Sequence, residues 1–113
     1  MHIANNHKGL LDDQVKELEE VWSHLAELLD KAIGTLLKDQ VSDFRRIKGI
    51  NERINKLVKE YDQRQIVRIQ EDISKTRLSI LYYGKMGDFK KIANNTIKLM
   101  EVFKESFSMN KYA

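Results

Sequence analysis

Eight apolar residues in the first third of the chain, Leu11, Val15, Leu18, Trp22, Leu25, Leu29, Ala32 and Leu36, follow one another at alternating steps of four and three. That alternation averages 3.5 residues and keeps all eight on one stripe of an α-helix, a heptad seam. A half-buried strand would need a period of two. Val21, Leu28, Ile33 and Leu37 lie beside the seam and widen it. A stripe that wide suits a helix packed on two neighbours better than a two-stranded coil. The chain has no proline, so no helix in it must stop for want of a backbone donor.

Two further segments of similar length carry the same kind of pattern. In the second, Phe44, Ile47, Ile50, Ile54, Leu57 and Tyr61 are followed by Ile66, Ile69 and Ile73. The step of five from Tyr61 to Ile66 predicts a stutter that locally changes the winding. Ser42 or Asp43 caps its start. The third shows Leu78, Leu81, Tyr82, Met86, Phe89, Ile92, Ala93, Thr96, Leu99, Met100, Phe103 and Phe107, with Ser74 as the cap. Asp12 and Asp13 sit where the first helix dipole favours negative charge.

The expected fold is all-α, a single helical domain over 1–113 with helices at about 11–38, 42–70 and 75–107 and flexible ends at 1–9 and 108–113. Three helices of matched length joined by short turns, at Asp39-Gln40 and at 70–75, pack compactly as an antiparallel up-down-up three-helix bundle. Should the first turn not form, the first two segments become one long helix and the molecule must oligomerise.

Composition agrees. Apolar residues make up 42% and charged residues 33%, enough for a core with solvated faces. No cysteine is present, which excludes disulfides and thiolate metal sites. No apolar run approaches the ~20 residues of a bilayer span, and Met1-His2-Ile3-Ala4 does not read as a signal peptide. The charge is unevenly spread. Residues 12–31 hold seven acids against Lys16 and Lys31, whereas 41–70 hold eight bases against Asp43, Glu52, Glu60 and Asp62. Either an acidic helix neutralises basic neighbours, or a basic surface faces phosphate, anionic lipid or nucleic acid.

No catalytic set is legible, and the chain reads as a non-enzyme without cofactor or metal. His24 neighbours the Trp22 seam position and reads as a partly exposed helical residue, His2 and His7 fall in the expected frayed end, and no H-E-x-x-H occurs. Basic residues around Tyr61 lack the stacking platforms and groove-entering motifs of a nucleic-acid binder, so no nucleic-acid partner is expected. Gly84 and Gly87, three apart inside a helical pattern, each cost ~1 kcal/mol relative to alanine. Either a neighbouring helix approaches closely there, or the backbone is left open beside a bound ion or partner. Asp88 borders the apolar stripe and needs a partner. That partner is either a base of the second helix, Arg64 or Arg68, or a metal ion with other carboxylates around it.

Three stretches of the second and third segments are Ile54-Asn55-Lys56-Leu57-Val58-Lys59-Glu60-Tyr61-Asp62, Ile66-Val67-Arg68-Ile69, and Ile80-Leu81-Tyr82-Tyr83-Gly84-Lys85-Met86-Gly87-Asp88, followed by Ile92-Ala93-Asn94-Asn95. They resemble the PhoU family, and more closely the PhoU-like tail of bacterial sodium/phosphate cotransporter family proteins, with its I-x-x-L-E-x-E-Y-R, H-I-x-R-L and I-L-x-N-L-E-R-I-G-D patterns. Gly87 and Asp88 match the family's Gly-Asp pair. Gly84 stands where the family has a metal-binding glutamate, Lys85 where it has arginine, and Gln65 where it has histidine. Of the family's metal ligands only Asp88 carries over, so the resemblance implies no metal site here.

The resemblance implies one PhoU-like repeat, a three-helix bundle that dimerises to complete the paired arrangement. It also implies a cytoplasmic regulatory or accessory role in phosphate uptake, as the tail of an inner-membrane transporter or beside one, close to an anionic membrane surface. Its partners would be another protein or its own transmembrane domain, met through helix faces, with Arg64, Arg68 and Lys85 as the anion or partner surface. The competing expectation is a generic helical dimerisation or adaptor module unrelated to phosphate.

Overall fold

The computed structural model describes residues 9–38 and 44–112. They form three α-helices, α1 (Asp12–Lys38), α2 (Phe44–Gln70) and α3 (Thr76–Tyr112), with no strand among the described residues. The all-α three-helix fold expected from three amphipathic segments is the one adopted. Each helix packs against both others, and the molecule measures 60 × 24 × 18 Å. Helical backbone in α3 continues to Tyr112, past the expected end at 107. The expected turn at Asp39-Gln40, the caps Ser42 and Asp43, the start of the chain with His2 and His7, and the side chain of Phe107 lie outside the described residues.

Local chemistry explains the helix ends. At the start of α1 the Gln14 side chain reaches back to accept the Leu11 N–H at 2.8 Å, one half of a capping box. At the end of α2 the Ile73 N–H bonds the Arg68 carbonyl and the Asp72 N–H bonds the Ile69 carbonyl. This is a Schellman motif, and Asp72 takes the left-handed position with φ of 59°. Ser74 does not serve as the α3 cap that its position suggested. Its hydroxyl faces inward to Gln14, Gln65 and Ser79.

The buried stripe of α1 is rotated from the expected one. Leu18, Leu25 and Ala32 are central, but their companions are Gln14, Val21, Leu28 and Thr35. Val15, Trp22 and Leu29 are half-buried, and Leu36 is exposed. Trp22 turns instead to α3, where its ring lies 5.9 Å from that of Phe89. The stutter expected in α2 is absent. The buried line runs on from Tyr61 through Gln65 to the half-buried Arg68, in unbroken heptad steps. Ile66, Ile69 and Ile73 are exposed. In α3 the line is Ser79, Tyr82, Met86, Phe89, Ala93, Ile97 and Met100, while Ile92 and Leu99 remain exposed.

Candidate functional site

These rotated stripes bring polar side chains from all three helices together at the end of the bundle that holds the α2–α3 turn. Glu17 of α1 is at the centre. The Tyr82 hydroxyl donates to its Oε1 at 2.6 Å, and Arg68 Nη2 donates to its Oε2 at 2.6 Å. Arg64 Nη1 reaches the same Oε2 at 3.3 Å. The side chains of Arg68 and Glu17 are only 12% and 7% exposed, so this ion pair is largely withdrawn from water. One layer outward, the Tyr61 hydroxyl donates to Glu20 Oε2.

A neutral layer lies beside it. Gln14 Nε2 donates to Gln65 Oε1 at 2.9 Å and to Ser74 Oγ at 3.2 Å. Gln65 Nε2 donates to Ser79 Oγ at 2.8 Å and to Ser74 Oγ at 3.0 Å, and its Oε1 also accepts from Arg68 Nη1. Gln65 thus makes all four hydrogen bonds open to its amide and Gln14 three of four, counting the Leu11 N–H on its oxygen, which is what lets two glutamines be fully buried at low cost.

The electrostatics follow from burial. The Tyr82 phenol is pushed far above its ordinary range by burial first and by the Glu17 carboxylate second. Burial also raises Tyr61, to about 12, with its bond to Glu20 adding to the effect. For Arg68, burial is the largest single influence and opposes the charge, but the hydrogen bond and charge of Glu17, with Tyr82, together outweigh it and hold the guanidinium protonated. Such a cluster is suited to fixing three helices in one register, because sliding any of them by a heptad would strand a buried charge.

The residues singled out from the sequence do not assemble into one surface. Arg68 is committed to Glu17, and Arg64 divides its guanidinium between Glu17 and Glu60. A cleft of about 340 Å³ over the two arginines is also lined by Lys16 and by the acids Asp13, Glu17 and Glu20. Its charges balance, so it is not an anion-attracting surface. Lys85 is half-buried on α3 and does not line that cleft.

The ion pair expected for Asp88 and the close packing expected at the glycines are both corrected. Asp88 is exposed and makes no ion pair with Arg64 or Arg68, whose carboxylate partners are on α1 and α2. Gly84 and Gly87 are not close-packed. A methyl group added to either would meet nothing within 4 Å. The Gly-Asp pair therefore stands on the solvent face of α3. Among the described residues no three His, Asp or Glu side chains gather as a metal site, and no helix is long and apolar enough to cross a membrane.

A second cleft, of about 600 Å³, runs between α2 and α3 beside Lys56, Lys59 and Lys90. It contains Asp62, whose Oδ1 is buried without a partner among the described residues. Burial raises the Asp62 carboxyl above its ordinary value, with Lys90 opposing.

Tyr82 stands on the expected stripe of the third segment, but the sequence signals for Glu17, Gln65 and Gln14 are weak. None of these three is conspicuous in charge or spacing, and only carrying the heptad on through Gln65 and Arg68 would place those two inside. Compared with family models, curated proteins and solved structures, the chain gives no match to any of the three.

Proposed function

We propose that the chain is a non-enzymatic, PhoU-like regulatory or accessory domain of a sodium/phosphate cotransporter-type protein, acting in phosphate uptake at the cytoplasmic side of the membrane through helix-face contacts. The observation that carries this reading is the run from Ile54 to Asp62 together with Ile80 to Asp88, set on one three-helix unit. Two structural features support contact rather than chemistry. Gly84, Gly87 and Asp88 lie exposed on one helix face, open to a partner. The most charged cluster, around Glu17, has its hydrogen bonds used internally.

A generic adaptor module is the second reading, favoured by large exposed apolar residues such as Ile33, Leu37, Leu99 and Val102. Immunoblotting of fractionated native cells with an antibody to this domain separates the two. A membrane-bound band much larger than 13.3 kDa is the expected result. A soluble 13.3 kDa band would overturn the transporter-tail reading and leave the adaptor.

A further inference from the structure

The cleft between α2 and α3 gathers charges that the chain itself leaves unmatched. Lys56 and Lys59 of α2 and Lys90 of α3 line it together with Asp62, and Val58 and Ile66 supply its apolar part. Its volume of about 600 Å³ is that of a small-molecule site. Every ion pair among the described residues belongs to Arg64 or Arg68, so neither Asp62 nor any of the three lysines has a counter-ion there. The exposed acids Glu52, Glu60 and Asp88 do not line the cleft. The cleft around Glu17 differs, because its charges balance.

Helix packing brings these groups together. Asn55 and Asp62 stand on the line of α2 that meets α3: the Asn55 amide donates to Asn94, and the Asp62 carbonyl accepts from the Tyr83 hydroxyl at 3.4 Å. Lys90 is seven residues after Tyr83 and four before Asn94, on the same line of α3. It therefore stands over the stretch of α2 between Asn55 and Asp62, near enough to Asp62 to oppose the effect of burial on its carboxyl.

Three ammonium groups and one carboxylate sum to +2, which a dianion neutralises. Asp62 sets a second condition. Its Oδ1 is buried with no hydrogen-bond partner among the described residues, and a buried acceptor left unmet calls for an explanation. The terminal torsion of an aspartate is soft, so that oxygen turns readily to a donor in the cleft. A carboxylate only accepts, and it repels an anion that offers it no hydrogen. We propose that the α2–α3 cleft binds a small dianion carrying one hydrogen-bond donor, its negative charge held by Lys56, Lys59 and Lys90 and its donor by Asp62. Hydrogen phosphate and the 2-hydroxydicarboxylates share that chemistry. Sulfate and the unsubstituted dicarboxylates have the charge without the donor. The assignment rests on the charges of the cleft and not on the phosphate reading.

Titration calorimetry of the full chain at mildly alkaline pH tests it, with hydrogen phosphate set against sulfate and malate against succinate. At least one donor-bearing dianion should bind at least about tenfold more tightly than its donor-free counterpart. Asp62→Asn should abolish that preference, because an amide donates to sulfate as readily as it accepts from a hydroxyl. Lys90→Gln should weaken binding at least about fivefold. Lys98→Gln, exposed on α3 outside the cleft, should leave it unchanged. A preference for hydrogen phosphate supports both the site and the phosphate reading, whereas binding of malate alone supports the site and counts against that reading. The proposal is overturned if no dianion binds at millimolar concentration, or if the donor-free anions bind as well as their counterparts. It is equally overturned if Asp62→Asn keeps the preference, or if Lys98→Gln weakens binding as much as Lys90→Gln. None of these failures touches the transporter-tail reading, which the immunoblot decides.

Discussion

The hydroxyl of Tyr82 donates a 2.6 Å hydrogen bond to the carboxylate of Glu17, a residue 65 positions earlier in the chain. The other oxygen of that carboxylate takes Arg68 at 2.6 Å. One buried acid thus ties α1 to α2 and α3 at once. Buried ion pairs seldom add much net stability, because desolvation offsets their attraction. Their effect is on alternatives: a bundle of near-repeating apolar stripes has several tolerable registers, and this triad satisfies its charges in only one.

Removing one member should therefore cost far more than removing both charges. Glu17→Ala leaves the Arg68 guanidinium buried without its counterion and should destabilise by about 3–5 kcal/mol. Glu17→Leu combined with Arg68→Met should recover most of that loss. Urea denaturation of Glu17→Leu, Arg68→Met and the double variant measures the coupling. Losses that simply add would count against the triad as a unit.

The two buried phenols set the alkaline limit of the fold. Raised native pKa values mean that the neutral phenols stabilise the protein fully below the ordinary value of 10, and that this stability is lost as pH rises through the native values. Tyr61 should ionise near 12. Tyr82 should ionise only as the helices melt. Phenolate absorbance followed alongside circular dichroism tests this, and Tyr82→Phe should remove the part of the absorbance change that coincides with unfolding.

Gly84→Ala and Gly87→Ala should each stabilise the chain by about 1 kcal/mol, since both positions are helical and an added methyl meets nothing within 4 Å. Thermal melts of the single and double variants should show additive rises of roughly 4–8 °C per substitution. A fall in midpoint would restore the close-packing explanation that the open surroundings of these glycines contradict.

Asp62 has the opposite relation to pH from an ion-paired acid. Its native pKa lies above 3.8, so its contribution is most favourable below that value and is lost as pH rises through the native pKa. At neutral pH it holds a carboxylate oxygen with no partner among the described residues. Asp62→Asn should stabilise by roughly 1 kcal/mol at pH 7 and by much less at pH 3. Equal effects at both pH values, seen as shifts in urea midpoint, would show that charge is not the cause.

Much of the architecture was legible in the sequence. The number of helices, their spans through Leu25, Leu57 and Phe89, and the α2–α3 turn near Asp72 all follow from short-range rules of period and turn chemistry. The polar cluster was not legible, because its members lie far apart in sequence. Gln14 meets Gln65 across 51 residues and Glu17 meets Tyr82 across 65.

The sequence by itself determined that α1 would bury a heptad stripe, but not which one. Val21 stands next to Trp22 and Leu28 next to Leu29, but the adopted stripe takes in Gln14 and Thr35 where the expected one has Val15 and Leu36. Burial area alone would favour the expected stripe, because apolar burial gains at about the same rate per unit of surface wherever it occurs. Tertiary structure made the choice through groups that do discriminate. With Gln14 and Val21 inward, Gln14 finds Gln65, Glu17 finds Arg68 and Tyr82, and Trp22 finds Phe89. A directional hydrogen bond between helices is satisfied in one rotation and lost in the next, and that difference sets the phase of the stripe.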